Sequence, residues 1–212
     1  MPNETPTLMD GPPNGWRLLL AHGAGAPMDS DWMTDVARGL ADGGVRVIRF
    51  EFPYMAARRA DGRRRPPDRE AVLLDTWRHM IAAHGPAERV VIGGKSMGGR
   101  MASLVADAES TRGLLCLGYP FHPPGKPERT RTAHLAALRT PALFCQGTRD
   151  PMGGPDAVAA ATLAPGIRLC WLEDGDHGFK PRKASGRTHA QAIAEAVAAS
   201  LAFIRDPTGA RT

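Results

Sequence analysis

A chain of 212 residues, 42% of them hydrophobic, can bury one sizeable core and is too apolar to be a disordered segment. Its 27 basic and 22 acidic residues leave a formal charge of +5, but no aromatic-interleaved basic stripe or helix-turn-helix spacing accompanies it, so nucleic-acid binding is not expected. Residues 1–15 lack a basic segment followed by an apolar one, and the longest near-apolar run, Ala196–Ile204, is too short to span a bilayer, so a soluble, cytoplasmic protein is expected.

Along the chain, short apolar runs alternate with amphipathic stretches, and no segment repeats. Six strands are predicted: Arg17–Ala21, Val45–Glu51, Arg89–Gly93, Gly113–Leu117, Ala142–Gln146 and Ile167–Leu172. Between them, Trp32, Val36 and Leu40 share one helical face, as do Leu73, Trp77 and Ile81. Met97, Met101 and Val105 form a third stripe, and Ile193, Val197, Leu201 and Ile204 a fourth. Asp29 or Ser30 is a candidate cap for the first helix, and Gly43-Gly44 ends it. Pro66-Pro67-Asp68 opens the second helix and Gly85-Pro86 closes it. Phe52–Pro67 and Pro120–Arg131 read as irregular.

The strands are continuously apolar rather than alternating, as in a sheet covered on both faces. The predicted fold class is therefore α/β: a three-layer, doubly wound, mainly parallel sheet of about six strands, with helices on both faces and no lid domain. A single domain spans 1–212, its core at about 16–205, with 1–15 and 206–212 as flexible tails. Cys116, Cys145 and Cys170 each sit inside an apolar run, without metal-ligand spacing, and read as reduced core thiols.

In such a sheet, chemistry gathers at the carboxyl ends of the strands. The third strand runs into Gly94-Lys95-Ser96-Met97-Gly98, a G-x-S-x-G pattern in a strand–turn–helix setting. There Ser96 is a candidate nucleophile, and the amides of the following helix favour a developing oxyanion. The fifth strand leads to Asp150, a carboxylate able to orient a histidine. The sixth leads to His177, able to take the serine proton and return it. Together they give the chain order Ser96, Asp150, His177. The first strand ends in His22-Gly23-Ala24-Gly25, whose turn can bring the Ala24 amide beside that of Met97 as an oxyanion hole, with His22 as a scaffold residue. Gly25, Lys95, Met28 and Met152 are candidate substrate-binding residues, with Lys180 a further source of positive charge near the site. Arg58, Arg59, Arg63, Arg64, Arg65 and Arg69 cluster after the second strand, where they can attract anionic substrates or form a solvated loop.

On these segments the sequence resembles the α/β-hydrolase superfamily, over about residues 16–205. It is most similar to the small, lidless branch near dienelactone hydrolases, and His22–Gly25, Gly93–Arg100, Gly147–Asp150 and Gly175–His177 resemble predicted hydrolases of the KANL/Tex type. The resemblance implies serine-type hydrolysis without metal or organic cofactor, on a small-molecule acyl substrate. It leaves the substrate and the oligomeric state open. Two departures stand out. Ser96 stands where dienelactone hydrolases carry cysteine, and the antiparallel strands that begin the full fold are missing or reduced to residues 1–15. The expected function is a serine hydrolase cleaving a small ester or thioester through an acyl-enzyme. An acyltransferase or perhydrolase on the same triad, or a scaffold protein with little activity, is the alternative.

Overall fold

In the computed structural model, which describes residues 5–209, Leu18, Leu19, Leu20 and Ala21 are all fully buried. Successive side chains of a strand point to opposite faces, so the strand that carries them, β2 (Trp16–Ala21), is covered on both sides. The same holds for β4 (Val90–Lys95), β5 (Gly113–Leu117) and β6 (Ala142–Gly147). With β1 (Thr7–Asp10), β3 (Val45–Phe50) and β7 (Ile167–Leu172) they form one sheet in the order β1-β3-β2-β4-β5-β6-β7. Only β1 runs antiparallel; every other neighbouring pair is parallel. This is the expected three-layer α/β architecture, with seven strands rather than six.

Two apolar layers hold it together. On one face, Met33, Val36 and Leu40 of α1 (Asp31–Asp42) and Ile193, Val197 and Phe203 of α6 (His189–Arg205) pack on Leu18, Leu20, Leu115 and Cys145. On the other, Leu73, Trp77 and Met80 of α3 (Glu70–His84) and Met101 and Val105 of α4 (Met97–Val105) cover Leu19, Ile92 and Phe144. Each fully buried leucine contributes about 1.5–3 kcal/mol relative to its exposed state.

Three expectations need correction, and one element is unanticipated. Residues 7–10 are not a free tail: β1 pairs with β3, and its Asp10 carboxylate accepts from Nε and Nη2 of the buried Arg49 at 3.0 and 3.2 Å. The remaining Arg49 donor, Nη1, reaches the Met28 carbonyl at 2.9 Å and Thr34 Oγ1 at 3.0 Å. One guanidinium thus ties β1, the loop after β2 and α1 to β3. The stretch after β3 is not irregular, because Pro53–Asp61 forms α2, with Pro53 at its start and Gly62 in the left-handed region just past its end. Of the candidate caps, Ser30 stands at the N-cap of α1 without a side-chain capping bond, Asp29 pairs with Arg59 and Asp68 accepts from the Tyr54 amide, while Thr188 and Gln191 make a capping box on α6. Finally, Pro155–Ala159 forms a short α5 on the way to β7. At the other end of the chain, Arg168 Nη2 donates to the Asp206 and Pro207 carbonyls at 3.1 and 3.0 Å; residues 1–4 and 210–212 of the expected tails lie outside the described residues. No helix among the described residues is long and apolar enough to cross a membrane.

Candidate active site

Strand β4 and helix α4 meet at Ser96, whose φ of 51° puts a non-glycine residue in the left-handed region. The strain is held by close packing around it. A Cβ on Gly94 would stand 2.6 Å from the Ala21 carbonyl oxygen, and one on Gly98 would stand 2.6 Å from that of His22. Only glycine fits at these two positions, two residues before and two after the serine. The Ser96 amide donates to the Leu117 carbonyl at 3.0 Å, which fixes the turn to β5.

Asp150 and His177 follow β6 and β7, adjacent strands whose loops approach closely: a Cβ on Gly147 would stand 2.2 Å from the Gly175 carbonyl oxygen. The structure brings the three side chains into one line. His177 Nδ1 donates to Asp150 Oδ2 at 2.7 Å, and Ser96 Oγ stands 2.9 Å from His177 Nε2. The Asp150 side chain is wholly buried, and its second oxygen accepts from the Met152 amide at 2.9 Å. The imidazole keeps about a quarter of its surface exposed. Asp174 and Asp176, nearer in sequence to His177, face elsewhere. Asp174 accepts from the backbone and side chain of Arg182, which holds its carboxyl below the usual range, and Asp176 accepts from the Gly178 and Lys180 amides.

Behind the histidine lies Lys95. Its ammonium does not enter the cleft; it donates to the His177 carbonyl and lies 5.3 Å from the Trp32 ring and 5.4 Å from that of Phe179. Burial lowers its pKa to about 8, against the opposing pull of Asp150 and Asp176. Trp32 Nε1 and His189 Nε2 both donate to the Gly178 carbonyl at 2.9 Å, so α1 and α6 brace the same loop.

The loop after β2 is fixed through its carbonyls. Buried His22 donates from Nδ1 to the Gly23 carbonyl at 2.7 Å and accepts the Phe52 amide on Nε2 at 3.1 Å, so it is neutral with the proton on Nδ1. Burial lowers its pKa, in keeping with that state. Tyr54 Oη donates to the Ala24 carbonyl at 2.9 Å, and Arg58 Nη1 to that of Gly25 at 3.3 Å.

Two predicted site residues, Met28 and Lys95, stand elsewhere than expected. Met28 is buried at 5% exposure, and its carbonyl serves Arg49 rather than a cleft. Met152 acts through its backbone, and Lys95 through the His177 carbonyl. Gly25 is exposed, with open space where a Cβ would stand, and Lys180 is exposed. Two of the six clustered arginines are neutralised: Arg59 is forked between Glu51 and Asp29, and Arg65 pairs with Asp61. Tyr54 is unassigned in the sequence, where Trp32 reads only as part of a helical face and Arg58 only as part of the arginine cluster. Beside the acid lies a cavity of about 470 Å³, lined in part by Phe121, Thr132, Thr148, Asp150, Pro151 and Ala157. Among the described residues no group of three or more His, Cys, Asp or Glu side chains is placed to hold a metal ion.

Comparison with known proteins agrees with this architecture. The profile of a family described as alpha/beta hydrolase domain matches residues 14–205. Est1E from Butyrivibrio proteoclasticus, solved with ferulic acid bound, superposes with a TM-score of 0.70 at 14% identity, over 95% of each chain. XC6422 from Xanthomonas campestris, described as an α/β serine hydrolase without a lid, gives 0.64 at 20% identity over 100% of this chain and 99% of its own. An α/β serine hydrolase homologue from Coxiella burnetii gives 0.66 at 18%, over 95% and 98%.

Proposed function

The chain belongs to the alpha/beta hydrolase domain family, and from that premise we propose that it is a serine hydrolase that cleaves a small ester or thioester on Ser96, His177 and Asp150. The observation that carries this reading is the unbroken line Ser96 Oγ–His177–Asp150, at 2.9 and 2.7 Å. Ser96 Oγ attacks the acyl carbon as its proton passes to His177 Nε2. Asp150 keeps the imidazole in the Nδ1–H tautomer and stabilises the imidazolium that forms. Collapse of the tetrahedral intermediate sends the Nε2 proton to the leaving alcohol or thiol and leaves an acyl-serine. Water, deprotonated by His177, then releases the acid.

Two backbone amides support an oxyanion hole. That of Met97 is the first of α4 and has no partner within the helix. That of Ala24 follows from peptide planarity: the Gly23 carbonyl is held on His22 Nδ1, so the Ala24 N–H in the same plane points the opposite way. The loop lies on the serine, since a Cβ on Gly23 would be 3.7 Å from Ser96 Cβ. The cavity beside Asp150 falls in the size range of small-ligand pockets, but its wall holds neither Ser96 nor His177, so it is not assigned to the acyl group.

Labelling with a fluorophosphonate tests the reading. One adduct is expected on the native chain and none on Ser96→Ala, with hydrolysis of a panel of acyl esters lost in the same variant. An equal adduct on Ser96→Ala, read by intact mass, sinks the assignment. Competition between water and an added alcohol acceptor then separates hydrolysis from acyl transfer.

A further inference from the structure

The edge of the sheet opposite Ser96 collects arginines from the starts of three neighbouring strands. Arg17 follows Trp16 at the start of β2, Arg89 precedes β4, and Arg112 precedes β5. These strands are consecutive and parallel in the sheet, so the three side chains share one edge, about 20 Å from the nucleophile at ~3.3 Å per residue. They line a cavity of about 680 Å³ whose wall also holds Asn14 and Trp16 and no carboxylate.

Elsewhere in the fold Arg49, Arg59, Arg65, Arg100, Arg182 and Arg187 each meet a carboxylate. Among the described residues, Arg17, Arg89 and Arg112 form no such ion pair within 4.0 Å. Two of them are nevertheless held in place. Arg17 Nη1 donates to the His84 and Gly85 carbonyls at 3.1 and 2.8 Å. Arg112 Nη2 donates to the Arg205 carbonyl at 3.2 Å, and its guanidinium lies 4.4 Å from the centre of the Trp16 indole. Arg112 Nε is buried without a hydrogen-bond partner. The carbonyls used belong to the ends of α3 and α6. A helix C-terminus supplies only about half a negative charge, roughly one unit for the two, against three full positive charges. Capping therefore accounts for the placement of Arg17 and Arg112 and leaves the edge cationic.

We propose that this basal pocket is a second ligand site, for a compact oligophosphate. Guanidinium groups pair with phosphate oxygens through two parallel N–H bonds, and three of them around one cavity suit several linked phosphates better than a single carboxylate. Arg17 and Arg112 are already ordered, so binding fixes chiefly the exposed Arg89. Trp16 is 45% exposed at the rim. It offers apolar area to an oligophosphate that carries a flat ring and nothing to a bare one.

Calorimetric titration of the full chain in about 50 mM salt, with inorganic tripolyphosphate and with ATP, tests the site. Both ligands are expected to bind saturably with one-to-one stoichiometry. Tighter binding of ATP identifies the nucleotide form as the source of the phosphates, and equal binding identifies the bare oligophosphate. Arg89→Ser, which removes an exposed side chain, weakens both about tenfold, the loss of one charge-assisted contact. Arg63→Ser with Arg64→Ser, at the opposite edge, leaves both unchanged. Saturating tripolyphosphate leaves the rate of fluorophosphonate labelling unchanged, because the two sites are separate; binding itself is read without reference to Ser96. The proposal is overturned by absence of saturable tripolyphosphate binding up to about 5 mM, whether or not ATP or duplex DNA binds. Equal weakening in the Arg63/Arg64 variant, or protection of Ser96 by tripolyphosphate, overturns it as well.

Discussion

At the scale of single residues, the proposed triad separates charge from exposure. Asp150 is wholly buried with both oxygens occupied, one by His177 and one by the Met152 amide, while His177 keeps a solvent-facing edge. Asp150→Asn keeps the size but puts an amide where the Nδ1–H must be accepted, favouring the wrong tautomer. kcat is expected to fall on the order of a thousandfold or more, with little change in KM. Steady-state kinetics check this, and a milder loss than that of Asp174→Asn or Asp176→Asn would place the orienting acid elsewhere. Lys95 adds a pH dependence. Its pKa in the folded chain is lowered to about 8 by burial, below that of an unfolded lysine, so the charged ammonium on the His177 carbonyl is present below pH 8 and lost above it. Since the unfolded chain holds the proton more tightly between about pH 8 and 10.4, the cost of burying the charge fades as pH rises through that window. Two outcomes follow for Lys95→Met. It should be more stable than the native chain near pH 7, by an advantage that narrows toward pH 10 in urea titrations. It should also lower kcat and lose the alkaline limb near pH 8. A native kcat profile flat from pH 7 to 9.5 would remove Lys95 from the positioning of His177.

At the scale of elements, the two glycine-rich turns behave oppositely. A methyl on Gly98 would meet the backbone oxygens of His22 and Ala21 at 2.6 and 2.7 Å, and backbone cannot step aside as a flexible side chain can. A methyl on Gly25 meets open space. Gly98→Ala should therefore cost about 1–3 kcal/mol of stability and slow fluorophosphonate labelling at least tenfold, whereas Gly25→Ala should leave stability within about 0.5 kcal/mol. Thermal melts and labelling rates distinguish them, and equal effects would mean that the α4 elbow is not held by close packing. These turns were legible in the sequence because each sits at a strand end in a fixed order. So was the convergence of Ser96, Asp150 and His177, which that order places at neighbouring strand ends. Strand β1 was not legible. Its four residues are half-buried or exposed, and what makes them a strand is pairing with β3 and an ion pair 39 residues away. Helix α2 gives no sequence period, because only Tyr54 and Met55 are buried on it, although Pro53 and Gly62 mark its ends. The direction of Lys95 was equally hidden, since its partners lie in α1 and in the loop after β7, far along the chain.

At the scale of the whole molecule, the sheet is the wall between two cores, and the site depends on both. β4 delivers Ser96, and β6 and β7 deliver Asp150 and His177; α3 and α4 press on one face of the sheet, α1 and α6 on the other. Neighbouring residues of one strand should then report on separate cores. Leu19 and Leu20 of β2 are both fully buried, Leu19 within the layer of Trp77 and Met101, Leu20 within that of Val36 and Ile193. Truncation of a buried leucine to alanine removes its transfer free energy and leaves a cavity that packed neighbours fill only in part, at a cost of about 2–5 kcal/mol. Leu19→Ala and Leu20→Ala should each fall in that range. A sheet with one solvated face would instead give one large loss and one near zero. Because the two residues are adjacent on the chain but face different helices, the double variant should come close to the sum of the singles. Urea unfolding followed by tryptophan fluorescence and by circular dichroism checks the losses and their additivity. Coincident midpoints are expected from the two probes, since neither layer of helices can keep its apolar face buried without the sheet. A loss below about 0.5 kcal/mol for either single variant, or a fluorescence transition that clearly precedes the loss of helix, would mean that the two layers do not stand or fall together.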